Sequence, residues 1–462
     1  MYKFHDNLKV KKYGSNTLLF EPNKGSWCFL NEADLKLVND ISKVLDSSSS
    51  TELNGNLSPA LETLYSKGIV SKNNRFIYDR HNFDHSRNKV NTLILKVVGF
   101  CNLACSYCYD YNEDRYKLKM SLETAKLVID SVWDQTANDL KILFHGGEPM
   151  LARELIVDLI EYTKIKNLPS GKRITYSIQT NGTLLDDEWA NIIRKYDISV
   201  GLSLDGYEEI NDRNRFYHNG KGSFNKIISN LLKYPDILRR VGVLTVVTQQ
   251  NVSQLFEIGK YFQKLGINSW KTILYQPGGR SPLHEGELGF DSIELVESYI
   301  KLFKGIEKGE FDDICITSIL SYINNVLFYE RDNMCLRSTC GAASDLVSIS
   351  VDGTIEACDC ITNLEYRLGK LIDKDSIAVA LNSKPAKLIR ERSVDSLYQC
   401  KSCDWKTFCG GTCLAKAGRV DKVDPTECVL SINMFELIFQ SLSESPRLID
   451  YANKFNKRRY IE

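Results

Sequence analysis

Three cysteines in the run Cys101-Asn-Leu-Ala-Cys105-Ser-Tyr-Cys108 are the residues of this 462-residue chain best placed to do chemistry. Soft thiolates suit iron, and three of them this close together can hold three corners of an iron–sulfur cube. A cube has a fourth corner, which is then left without a protein ligand. An open metal position is where a small molecule can coordinate and react. The competing assignment is a structural zinc knuckle with a fourth ligand from elsewhere. Zinc favours paired knuckles, and a lone trio at this spacing fits them poorly.

Further polar residues stand at the ends of apolar, strand-like stretches. Leu140–Phe144 runs into His145-Gly146-Gly147-Glu148-Pro149, where paired glycines let the backbone approach a ligand closely and Glu148 offers a counter-charge. A plain Gly-Gly-Pro turn is the alternative. Ile174–Ile178 leads into Gln179-Thr180-Asn181-Gly182, and Ile198–Leu204 carries Ser203-Leu204-Asp205-Gly206 at its end. Asp and Asn at such places also make turns and cap helices. Arg215 is suited either to pair with a carboxylate or to lie on the surface. His145 and His218 read as ordinary loop or surface residues. Towards the C-terminus, Cys340 and Cys358 precede Cys400-xx-Cys403-xxxxx-Cys409-xxx-Cys413 and a final Cys428. A zinc ribbon is the alternative there, but it needs only four ligands.

The trio resembles the signature of the radical S-adenosylmethionine (SAM) enzymes, down to Tyr107 before its last cysteine. The resemblance implies a 4Fe–4S cluster on Cys101, Cys105 and Cys108, with SAM chelating the fourth iron and its reductive cleavage giving a 5′-deoxyadenosyl radical that takes a substrate hydrogen. Gly146-Gly147-Glu148-Pro149 is similar to the family's GGEP motif, which binds the SAM amino group. The Gln179–Gly182 and Ser203–Gly206 segments are similar to those of radical-SAM peptide and sulfatase maturases. That implies contacts from Thr180, Asn181, Ser203 and Asp205 to the ribose, the SAM carboxylate or the substrate. Asn211–Arg215 resembles the family's HDxNR stretch, with Asn211 in place of its histidine, and brings Arg215 into the same set.

The C-terminal cysteines resemble the seven-cysteine SPASM signature, which implies two auxiliary 4Fe–4S clusters and three clusters in all. The family pattern assigns Cys335, Cys340, Cys358 and Cys413 to the first and Cys400, Cys403, Cys409 and Cys428 to the second. Cys335 lies outside the seven-cysteine signature. Cys28, Cys315 and Cys360 are left as packing residues, although Cys360 is near enough to Cys358 to compete. Asp359 matches an aspartate proposed as general base in sulfatase maturases. Hydrogen bonding to a cluster loop is the other reading of it.

These residues need elements to position them. Leu93–Val98, Leu140–Phe144, Ile174–Ile178, Ile198–Leu204, Val241–Thr248 and Trp270–Tyr275 read as six strands alternating with amphipathic helices. One helix places Ala125, Val128, Ile129 and Val132 on a single face. Another, capped by Asn251 and ended by Gly266, does so with Leu255, Ile258, Phe262 and Leu265. Such alternation predicts an α/β fold with a parallel sheet curled into a partial barrel, and the resemblance implies the same (β/α)6 radical-SAM barrel. Sites in barrels sit at the C-terminal strand ends, where these motifs fall.

Residues 1–87 read as a winged-helix-like unit. Thr17–Glu21 and Trp27–Leu30 form strands, Asn31 caps a helix over Leu35, Val38, Ile41 and Leu45, a second helix holds Leu61, Leu64 and Tyr65, and Gly68 stops it before an Ile69-Val70 strand. Ser47–Ser50 makes a flexible joint, and Ser71–Thr92 a polar linker. The unit looks like the leader-peptide recognition element of peptide maturases. Dimerisation or packing is the plainer role, and its helices lack the basic face DNA would need. The expected domains are thus 1–87 for leader recognition, 88–325 for the barrel, 326–435 for the SPASM domain and 436–462 for a C-terminal helix.

Zero formal net charge gives no electrostatic reason to expect nucleic acid or an anionic membrane as partner. The N-terminus lacks an apolar signal-peptide core and no apolar run spans a bilayer, so fourteen cysteines point to a cytoplasmic, metal-holding chain rather than disulfides. The expected activity is hydrogen abstraction from a ribosomally made precursor peptide that bears a leader, giving a thioether or carbon–carbon cross-link. Flavodoxin or ferredoxin is the reductant the family implies. Formylglycine formation of the sulfatase-maturase kind is the alternative, and a non-catalytic iron–sulfur electron carrier a third reading.

Overall fold

The computed structural model describes residues 2–46, 57–73, 75, 89–328 and 333–459. The serine joint at Ser47–Ser50, most of the expected linker and the boundary at residue 87 lie outside the described residues.

The N-terminal unit has two small sheets. Strand β1 (Tyr2–Phe4) pairs antiparallel with β5 (Val70–Lys72), while β2 (Lys9–Tyr13), β3 (Asn16–Glu21) and β4 (Ser26–Leu30) form a three-stranded antiparallel meander. The helices Glu32–Asp46 and Leu57–Ser66 lie between β4 and β5. Asn31 caps the first as expected, its Oδ1 accepting from the Asp34 amide at 2.9 Å. The sequence reading lacked β1 and β2. The lysine-rich β2 is mostly exposed and has no apolar alternation to betray it.

The six expected strands are all present: β6 (Thr92–Lys96), β7 (Asp139–His145), β8 (Arg173–Thr180), β9 (Ser199–Ser203), β10 (Gly242–Val247) and β11 (Ser269–Leu274), each parallel to the next. Their inward residues, among them Leu93, Leu95, Ile142, Phe144 and Ile178, are fully buried, and each such side chain contributes about 1.5–3 kcal/mol. The helix Leu122–Trp133 buries the predicted Ala125, Val128, Ile129 and Val132. Gly266 ends the helix Leu255–Leu265 in the left-handed conformation, φ 86°. Asn251, however, does not cap that helix. A short turn of helix intervenes, and Asn251 instead accepts from the Thr248 amide and donates to Val246 O, bracing the end of β10.

The sheet does not stop at six strands. A two-residue strand, β12 (Cys315–Ile316), adds beside β11. On the other edge β13 (Leu346–Ile349) pairs parallel with β6, and β14 (Thr354–Glu356) and β15 (Arg367–Lys370) continue antiparallel. The C-terminal cysteine region is therefore stitched to the first barrel strand by main-chain hydrogen bonds. Two expected boundaries fall inside helices: Thr317–Leu327 crosses residue 325, and Pro425–Glu444 runs unbroken across residue 435. The N-terminal meander packs on this C-terminal part. Phe20 stacks on Trp405 (ring centroids 5.3 Å apart), Trp27 meets Phe439 edge-on, and Trp27 Nε1 donates to Val326 O at 3.0 Å. Among the described residues no helix is long and apolar enough to cross a membrane.

Candidate active site and metal centres

The cysteine trio lies on the loop after β6, against the loop after β7. Gly146 (φ 84°) and Gly147 (φ 35°) make that contact possible. A Cβ on Gly147 would lie 2.0 Å from Phe100 O, and one on Gly146 would lie 2.7 Å from Val98 O. These glycines thus let the second loop press on the chain just ahead of Cys101, a close approach of backbone to backbone.

Glu148 is buried and organises the ends of two strands. Its Oε1 accepts from the Met150 amide at 2.9 Å and from Thr180 Oγ1 at 2.7 Å, and its Oε2 accepts from the Asn181 amide at 2.8 Å. Burial pushes its pKa up, against the pull of those donors. A carboxylate has room for about four donors, so acceptor capacity remains. Asn181 relays the arrangement to the trio, donating from Nδ2 to Asn102 Oδ1 at 2.9 Å and to Cys101 Sγ at 3.7 Å.

On the far side of the trio a buried chain runs Arg215–Tyr107–Asp205. Arg215 Nη1 donates to Tyr107 Oη at 2.9 Å, and Tyr107 Oη donates to Asp205 Oδ2 at 2.5 Å. Arg215 is therefore no surface residue. Burial raises the Asp205 pKa, opposed by Arg215. Asn211, the departure from the family's histidine, is fully buried, and its Oδ1 accepts from the Asp205 amide at 3.2 Å. Ser203 Oγ accepts from Gln179 Nε2 at 2.9 Å. Burial pushes all three thiols up, Cys108 to about 12. Binding a metal, which takes the thiolate, would reverse that.

Side-chain contacts join the trio loop to the segment of the C-terminal cysteines. Tyr109, next to Cys108, donates to Asp359 Oδ2 at 2.7 Å. Lys96, at the end of β6 and 5% exposed, lies 2.7 Å from Asp110 and 3.3 Å from Glu356, and it donates to Asp359 O at 3.3 Å. Burial works against its charge, but Asp110, Glu356 and Asp359 outweigh that and raise its pKa. The side chains of Cys358, Asp359 and Cys360 converge within 4.8 Å. Burial lifts the Asp359 pKa, yet His145, Lys96 and the Tyr109 hydrogen bond together hold it below the usual carboxylate value.

No disulfide joins any of the fourteen cysteines. Cys400, Cys403, Cys409 and Cys428 are mutual neighbours, close enough that, after burial, their like charges raise the Cys400 pKa to about 12. Cys335, Cys340, Cys413 and Cys358 fall in the second neighbourhood, and Cys360 stands there with them, beside Cys335 and Cys413. Cys335 is exposed. One observation tests whether these groups suit anionic clusters. Arg215 Nε and Arg392 Nε are buried polar atoms without an acceptor, and their guanidiniums lie beside the cysteines of the trio and of the C-terminal groups respectively. Buried cations left short of partners fit a site that takes negative charge.

Residues 95–262 match the Radical SAM superfamily, and residues 340–404 match an iron–sulfur cluster-binding domain, SPASM. The chain belongs to the radical SAM superfamily. It is similar to the cysteine-type anaerobic sulfatase-maturating enzyme of Clostridium novyi, with 27% identity over 70% of this chain and 87% of that one. An uncharacterized protein of Methanocaldococcus jannaschii is 33% identical over 62% of this chain and 90% of its own. Two solved structures share the fold. Native anSMEcpe with bound AdoMet and Cp18Cys peptide covers 79% of this chain and 99% of its own (TM-score 0.65, 24% identity). Streptococcus suis SuiB bound to precursor peptide SuiA covers 93% of this chain and 100% of its own (TM-score 0.55, 14% identity).

This radical SAM enzyme therefore binds SAM and iron–sulfur clusters through an α/β fold with a central parallel sheet and a C-terminal SPASM domain. Sequence reasoning missed Lys96, Tyr109 and Arg392, and it set His145 aside. Tyr109 and His145 directly flank cysteine and glycine motifs, a usable signal. Lys96, an unexpected charge inside an apolar strand, was another. Arg392 carries no sequence signal.

Proposed function

We propose that this radical SAM enzyme cross-links a ribosomally made precursor peptide, forming a thioether or carbon–carbon bond. The observation that carries the reading is the N-terminal unit seated on the SPASM side of the molecule. The likeness to SuiB extends over 93% of the chain, too large a share to leave residues 1–87 out. In this reading the unit takes the leader by adding it as a strand to a sheet edge.

Cys101, Cys105 and Cys108 would hold the cluster that chelates SAM, whose reductive cleavage supplies a 5′-deoxyadenosyl radical. Glu148 keeps acceptor capacity for the SAM amino group, Gly146 and Gly147 set its loop against the trio, and Thr180, Asn181 and Ser203 hold the strand ends. Asp205 and Arg215 fix the trio through Tyr107. Two auxiliary quartets, Cys335/Cys340/Cys358/Cys413 and Cys400/Cys403/Cys409/Cys428, bring the clusters to three. Asp359, tied to Tyr109, stands between trio and quartets, where a base for the substrate proton is needed. A flavodoxin or ferredoxin supplies the electron.

The identity to sulfatase maturases favours a second reading, formylglycine formation. Anaerobic incubation with SAM and reductant separates them by mass spectrometry. A precursor peptide with its leader should lose two hydrogens and gain a fragmentation-resistant link. An aldehyde formed on a leaderless sulfatase peptide, with the precursor untouched, would replace the first reading by the second.

A further inference from the structure

Arg392 follows the helix Lys384–Glu391 and is 6% exposed. Its Nη1 donates to Thr412 O at 3.1 Å, and its Nη2 donates to Gly411 O and Lys422 O, each at 2.8 Å. Gly411 and Thr412 belong to the short link between Cys409 and Cys413, which runs from one quartet to the other. Three consecutive residues of that link, Gly410, Gly411 and Thr412, have φ of 79°, 92° and 63°. The left-handed region is costly for a β-branched threonine, so the link needs an external hold. Arg392 provides it with a planar fork of donors.

Its charge is the unusual part. Among the described residues no carboxylate pairs with Arg392, and its Nε is buried without an acceptor. Cys340 and Cys413 of one quartet and Cys400 and Cys409 of the other stand near its guanidinium. Arg215 beside the trio differs, having Asp205 nearby. A buried guanidinium without a counter-ion is unfavourable, and two thiolate-wrapped clusters would supply the missing negative charge.

We propose that Arg392 is a positioning residue that clamps the Cys409–Cys413 link and whose fixed positive charge eases one-electron reduction of both auxiliary clusters. The inference rests on the two-quartet reading above. Each cluster takes one electron from an external low-potential donor and gains one negative charge, and a buried cation between them stabilises that reduced state through low-dielectric surroundings.

The test is an EPR-monitored redox titration of the anaerobically purified full chain, with dithionite as electron source and iron and sulfide counted in each sample. Arg392→Gln should keep the wild-type iron count, while its auxiliary signals appear only at more negative potential and the trio signal does not move. Arg392→Lys keeps the charge and should titrate as wild type. An iron-replete Arg392→Gln variant with unmoved auxiliary potentials would overturn the proposal. If Arg392→Gln fails to hold iron, Arg392→Lys decides. Wild-type potentials there support the role of charge, and a negative shift despite the retained charge overturns it. Iron for fewer than two auxiliary clusters in the wild type removes the two-quartet reading and the proposal with it.

Discussion

Around the trio, the buried Arg215 is joined through Tyr107 to the carboxylate of Asp205, and the acceptor-rich Glu148 organises the opposite side. Around the C-terminal cysteines, the hydrogen bonds of the buried Arg392 among the described residues go to main-chain carbonyls. The first region mixes both signs of charge with polar groups at strand ends, as suits a site that binds a zwitterionic cofactor and lets it react. The second holds its other charges as close ion pairs, Lys416 with Glu427 beside Cys413 and Arg337 with Asp345 beside Cys340, and leaves Arg392 to the backbone, as suits closed cluster sites. The difference teaches that cysteine number alone does not distinguish a reacting cluster from a supporting one. The company of the cysteines does.

Substitutions can break that contrast. Cys105→Ala should abolish 5′-deoxyadenosine formation and remove about four irons per chain. Cys409→Ala should remove a similar amount of iron yet leave SAM cleavage measurable, by iron assay and chromatography. Glu148→Gln should weaken SAM affinity about 10- to 100-fold, the effect of losing a charge-assisted acceptor, with iron content unchanged. Tyr107→Phe removes the hydroxyl between Arg215 and Asp205 and should cost about 1–3 kcal/mol in denaturant unfolding. Asp352, at the seam where Arg115 and Lys370 meet β14, sharpens the comparison at its edge. Burial works against its charge, but Thr354 and Arg115 prevail and hold its pKa down to about 2. A depressed carboxylate contributes stability above its unfolded pKa near 4 and loses it as pH falls towards 2. Asp352→Asn should therefore cost about 1–2 kcal/mol at neutral pH and flatten the acid limb of a pH-stability curve.

The barrel was legible because buried parallel strands read as continuous apolar runs, such as Leu93-Ile-Leu and Leu140–Phe144, separated by helices with a clear apolar face. The motifs at the strand ends were legible for the same reason: the strands located them. Three things were not. The pairing of β13 with β6 is a contact across some 250 residues of sequence that no local pattern encodes. β2 lacks alternation because it lies open on one edge of a small sheet. Asn251 looks like a helix cap, but the short turn after it leaves its side chain free to brace β10 instead. At the site, the Gly146–Gly147 pair also packs against the backbone of Val98 and Phe100, a requirement invisible without the fold.

The central claim is that the trio leaves one iron for SAM. EPR of the reduced, iron-replete chain, recorded before and after SAM is added, tests it most directly. The account predicts that one cluster signal changes shape on SAM addition, that Cys105→Ala loses this signal, and that 5′-deoxyadenosine accumulates. A trio that holds zinc, or cluster signals indifferent to SAM in a fully loaded sample, would contradict it.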